Sequence, residues 1–200
     1  EKAIANASYY TQPQFFDLNK ADEYLKTAQE LLISGGSASA RKAGRQALQG
    51  VLSDRLNMAI QMALKPENKD KTEFWSRADE IIRIAIKEDV DGVEGKSFSA
   101  KVLMARGQYA EAARTFKAIT ERQKTNSAVY ADLSRCYLNM KDLTETRNVL
   151  AQVEDIDPRN AWALTMLARL AKDAGQTDQY ENYVTKAAAL IPDDPWIREQ

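Results

Sequence analysis

The apolar residues Ala21, Leu25, Ala28 and Leu32 fall three or four apart, which puts them on one face of a helix over about Lys20 to Ser34. The pair Gly35-Gly36 ends it. From about Ser39 to Leu64 the set Ala47, Leu48, Val51, Leu52, Leu56, Ala59, Ile60 and Ala63 keeps the same period and predicts an unusually long helix. Lys65-Pro66 closes it, and the charged stretch from Glu67 to Lys71 reads as a solvated loop. Trp75, Ala78, Ile82 and Ala85 then mark one face of a helix from about Glu73 to Lys87. Six more helices follow, at about Ser97 to Arg106, Tyr109 to Arg122, Ser127 to Asn139, Leu143 to Glu154, Ala161 to Ala174 and Thr177 to Leu190. Connectors of a few residues force neighbouring helices to run antiparallel. No stretch alternates apolar and polar residues between turn signals, so the predicted class is all-α.

A longer period lies over the helical one. Ile82, Phe116, Leu150 and Val184 recur at 34 residues, as do Pro158 and Pro192. A period of this size predicts stacked helical hairpins, each unable to bury its apolar face without a neighbour. The 200 residues and 44% hydrophobic content suit about five such hairpins around one continuous core. No glycine-rich or proline-rich linker divides the chain, and a single domain over 1–200 is the expected organisation. Within it, 1–72 holds divergent helices, 73–192 the regular repeats, and 193–200 a partial unit or cap.

Composition narrows the function. Lysine and arginine number 28 against 29 acids, so no global field favours nucleic acid or an anionic membrane, and electrostatic recognition must be local. Histidine is absent and Cys136 is the only cysteine, which removes intramolecular disulfides and most zinc, haem and iron-sulfur constellations; no cofactor is expected. No run of eighteen apolar residues exists, so no transmembrane span is expected. The first residue is not methionine, which fits either a trimmed chain or a mature exported protein; the second favours a bacterial periplasm or envelope, with a signal or lipid anchor removed.

Gly107-Gln-Tyr109-Ala-Glu-Ala112-Ala-Arg-Thr-Phe116 carries a turn glycine, an aromatic two residues on, a small residue three further and a bulky one four further. This segment resembles the second half of a tetratricopeptide repeat. The next unit aligns through Tyr130, Leu133, Tyr137, Leu143, Thr146, Leu150, Val153 and Ile156-Asp157-Pro158, and the one after through Leu164, Leu167, Ala168, Gly175, Ala187, Leu190 and Pro192. Lys141 stands where the family has its turn glycine, and Thr146 and Tyr180 where it has a small residue. The resemblance implies a right-handed superhelical solenoid of antiparallel hairpins whose first helices line a concave groove.

Candidate chemistry is sparse. Gly92-Val-Glu-Gly95-Lys96-Ser97 ends like a phosphate-binding loop, but the first required glycine is Val90 and a helix, not a strand, precedes it. Cys136, between Leu133 and Tyr137, reads as a buried small hydrophobe. Asp193-Asp194 reads as a helix cap. Without histidine a nucleophile must borrow its base from lysine or a carboxylate, and no serine or cysteine sits in an elbow motif, so no enzyme is expected. Lys101, Arg135 and Arg169 are separated by 34 and 34 again, one cation per first helix. By the resemblance this position faces the groove, where cations roughly 10 Å apart could track an extended acidic peptide; the competing reading is a solvated polar face. The same carry-over adds Met104, Leu138, Asn139, Trp162, Thr165, Lys172 and Asp173, while Trp162 and Trp196 are also 34 apart. The family's carboxylate clamp of lysine and asparagine has no match.

Two functions follow as expectations. The first is a non-enzymatic scaffold, a monomer or weak homo-oligomer, that holds a peptide or helix of another protein in its groove. The second is a structural subunit of a larger assembly, self-associating through helix faces or ends. They differ in where apolar surface is exposed.

Overall fold

The computed structural model describes residues 23, 38–88 and 92–200. The helix expected over Lys20 to Ser34 lies outside the described residues apart from residue 23. Among the described residues there are nine α-helices and no strand: α1 (Ala38–Leu64), α2 (Glu73–Glu88), α3 (Glu94–Ala105), α4 (Tyr109–Arg122), α5 (Ser127–Asn139), α6 (Leu143–Ile156), α7 (Ala161–Asp173), α8 (Thr177–Leu190) and the short α9 (Pro195–Arg198). They fall into two compact units, Glu1–Ala105 and Arg106–Gln200.

In the first unit Leu48, Val51, Leu52, Leu56 and Ala59 form one buried stripe of α1, packed on Ala78, Ile81 and Ala85 of α2 and on Phe98 and Val102 of α3. The α1 helix, 27 residues and about 40 Å long, stops where Lys65 turns extended before Pro66. A single 3₁₀ turn, Pro66–Asn68, follows, and the buried Asn68 side chain donates to the Met62 carbonyl at 2.9 Å, covering one open acceptor of the helix end. The α3 helix begins at Glu94, three residues before the expected Ser97. Gly95 allows this: a Cβ there would lie 2.4 Å from the Ile86 Cγ1 and 3.0 Å from its Cα and N, so only glycine lets α3 start so close to α2. A segment that begins like a phosphate loop is therefore a helix-packing site.

The second unit repeats one turn design. Gly107, Lys141 and Gly175 adopt φ of 78°, 61° and 67°, and each stands two residues before a second helix. Two of these turns close identically. Lys141 N–H donates to Leu138 and Asp142 N–H to Tyr137; Gly175 N–H donates to Lys172 and Gln176 N–H to Ala171. These are Schellman motifs, which require a left-handed residue just past the helix end. The α7 and α9 helices start alike too: Asn160 and Asp194, 34 apart, accept from the backbone N–H groups of Ala163 and Ile197, both at 3.1 Å. Between them run Phe116, Ile119, Cys136, Leu150, Val153 and Leu164, all at most 2% exposed. Thr146, at the family's small position, is fully buried and turns its hydroxyl back to the Asp142 carbonyl at 2.7 Å. The α9 helix places Ile197 on Leu164 and Ala187, with Trp196 half-buried beside them.

Candidate partner-binding site

The helical period puts residues 135, 138, 139 of α5 and 162, 165, 169, 172, 173 of α7 on first helices of the second unit. Arg135 is half-exposed. Its Nη1 meets Asp132 Oδ1 at 2.6 Å, one turn earlier, and its guanidinium lies 4.1 Å from the centroid of the Trp162 ring. Asp132 itself is buried, so Arg135 supplies the countercharge that makes that burial tolerable. One repeat on, the Arg169 guanidinium lies 4.8 Å from the centroid of Trp196. Each arginine thus caps the tryptophan 27 residues later, and the 34-residue interval of both residue types makes the two rungs alike.

Lys172 extends this face. Its ammonium donates to Gln200 Oε1 at 2.6 Å and sits 5.5 Å from the Tyr180 ring, whose hydroxyl donates to the same Gln200 oxygen at 2.9 Å. Gln200 in turn donates to the Trp196 carbonyl at 2.8 Å. Leu138 is half-buried, and Asn139 and Asp173 are exposed, Asn139 donating to the Arg135 carbonyl. Thr165 is buried, its hydroxyl donating to the Ala161 carbonyl at 2.8 Å, so it offers nothing to the surface. Lys101 and Met104 belong to α3 of the first unit, both half-buried. The sequence pattern missed Asp132, Tyr180 and Gln200 as members of this face; only Asp132, three residues before Arg135, left a helical-pair signal.

Cys136 is wholly buried, and burial pushes its thiol up to about 12, with Asp132 adding to the rise and Arg135 opposing it. Such a thiol is not a nucleophile at neutral pH. Among the described residues no helix is long and apolar enough to cross a membrane.

Residues 103–154 match the model of the tetratricopeptide repeat family. Over these residues the chain is similar to tetratricopeptide repeats. The chain superposes on YrrB, described as a tetratricopeptide repeat protein with an unusual peptide-binding site, with a TM-score of 0.56 and 15% identity over 98% of this chain and 89% of that one. A Podosopora anserina chain of nearly identical tetratricopeptide-like repeats gives 0.53 and 18% over 94% and 93%. The fold is therefore an all-α helical-repeat solenoid like that of tetratricopeptide repeat proteins. In sequence, 109 residues are 28% identical to cellulose synthase 2 operon protein C of Komagataeibacter xylinus. The match takes in 54% of this chain and 8% of that protein.

Proposed function

We propose that this tetratricopeptide repeat chain is a non-enzymatic scaffold that holds an extended acidic segment of another protein on the first-helix face of its second unit. The observation that carries this reading is the repeated arginine-on-tryptophan rung, Arg135 on Trp162 and Arg169 on Trp196. Tryptophan and arginine are the residue types that dominate binding energy at interfaces. A guanidinium resting on an indole keeps its N–H edge for a carboxylate and has lost much of its side-chain freedom before the partner arrives. Lys172 adds a third cation beside the second rung.

Selection of extended peptides from a random library on the folded protein tests this reading. Enriched peptides should carry aspartate and glutamate, and their capture should fall at least tenfold with Arg169→Glu and recede with rising salt. Selection of neutral or basic peptides, or capture indifferent to Arg169→Glu, would contradict it.

A second reading, a structural subunit of a larger assembly, draws on the exposed apolar side chains Leu64 and Ile86 in the first unit and Met140 and Leu143 in the second. A bacterial envelope is the compartment we propose for such an assembly. Light scattering on purified protein separates the two readings: the scaffold runs as a monomer or weak oligomer, the assembly subunit as a defined multimer. Fractionation of the native cell tests the compartment.

A further inference from the structure

The second unit has an open cavity of ≈ 370 Å³ that involves none of the rung residues. Its floor is a stripe of α5, namely Tyr130, Leu133 and Tyr137, at spacings of three and four, joined by Val149 of α6. Leu133 and Val149 are buried and the two tyrosines half-buried, so the floor is apolar with aromatic edges. One wall is α4 with the connector that follows it, Lys117 and Glu121 coming from the helix and Lys124 from the connector; the other is α6, which contributes Glu145 and Gln152. The walls are oppositely charged: Lys117 and Glu121 cancel on α4 and Lys124 in its connector leaves that side at +1, while Glu145 leaves the α6 side at −1. Among the described residues Lys117, Glu121 and Lys124 enter no ion pair. The α5 floor, from Tyr130 to Tyr137, and the α6 wall, from Glu145 to Gln152, each span about two helical turns or 10 Å.

We propose that this trough between the second helices α4 and α6 docks one amphipathic helix of a partner protein, at a site separate from the first-helix face. The floor decides the conformation of the occupant. An extended segment would bring unpaired backbone N–H and C=O groups onto Leu133, Val149 and the tyrosine rings, which is costly, whereas a helix satisfies its own backbone and presents only side chains. Apolar residues at i, i+3 or i+4 and i+7 match the two-turn stripe of α5. The walls decide the flanks: acidic residues on the side that meets Lys117 and Lys124, basic residues on the side that meets Glu145.

A synthetic peptide tests the proposal on the full chain. The probe is a dye-labelled fourteen-residue helix with leucine at i, i+3 and i+7, glutamates along one flank and lysines along the other, followed by fluorescence anisotropy. The matched peptide should bind saturably. Lys117→Glu with Lys124→Glu, both exposed positions, should weaken it at least tenfold with unchanged helicity, and a peptide whose glutamate flank is changed to lysine should regain binding to that variant. Arg169→Glu should leave it within a factor of two, which separates this site from the rungs. The proposal is overturned if the matched peptide does not bind, if the double variant binds it as well as the parent, or if Arg169→Glu abolishes it.

Discussion

Lys141 shows how one side chain can depart from its family and still keep the backbone. It holds φ at 61°, where Gly107 and Gly175 hold 78° and 67° in the sister turns, so the lysine carries the strain that the glycines avoid. An L-residue in the left-handed region costs about 1–2 kcal/mol, offset in part by the greater entropy of an unfolded glycine. Lys141→Gly should therefore stabilise the protein by about 1 kcal/mol, and Gly175→Ala should destabilise it by a similar amount, since a Cβ there meets nothing within 4 Å and only torsion is at stake. Urea unfolding midpoints at constant m-value check both signs. The two rung arginines differ in the same measurement. Removing Arg169 forfeits a stack worth about 0.5–1 kcal/mol at an exposed site, whereas Arg135→Ala also strands the buried Asp132 and should cost about 1–3 kcal/mol. Equal losses would show that the Asp132 contact contributes nothing. For Cys136 the sign follows from its raised value. The unfolded thiol ionises near its ordinary value and the folded one only at about 12, so stability from this group is whole below pH 8 and falls as pH rises from about 9 towards 12. A thiol reagent at pH 8 should label Cys136 no faster than the protein opens; prompt labelling of native protein would contradict its burial.

At the level of elements, the apolar period located the helices because burial dictates both. From Tyr109 onward the expected and observed starts agree at Tyr109, Ser127, Leu143, Ala161 and Thr177. The exceptions have physical causes. The start of α3 was read three residues late because Gly95 signals a break in isolation, while in the fold it is the one residue that fits against Ile86. Gly95→Ala should cost about 1–3 kcal/mol, the usual penalty of overpacking, and trimming the half-exposed Ile86 side chain should restore only part of it, because backbone atoms of Ile86 stand 3.0 Å away as well. Thermal melts of the single and double variants decide this; full rescue would place the whole conflict in the side chain. The stacking of arginine on tryptophan was only half legible. Both 34-residue ladders were visible, but that residue i rests on i+27 depends on how successive first helices pack, which no single-helix period contains. The trough was not legible at all, since its floor and walls come from three helices whose residues look like ordinary core and solvated face when read one at a time.

At the scale of the whole molecule, the repeat leaves the same kinds of residue exposed on successive hairpins of the second unit. Each hairpin of the second unit buries its apolar stripe against the next, as α6 and α7 do through Leu150, Val153, Ala163 and Leu167. What is left over recurs once per hairpin, and a recurring cation over a recurring indole suits a partner that is itself extended. The central claim is that a partner's acidic segment lies on Arg135, Trp162, Arg169 and Trp196. The most direct test follows the three indole N–H resonances, from Trp75, Trp162 and Trp196, while an acidic peptide selected on the protein is titrated in. The Trp162 and Trp196 signals should shift together with saturation while the Trp75 signal stays in place. Saturable binding that moves neither Trp162 nor Trp196, or that moves Trp75 alone, would contradict it.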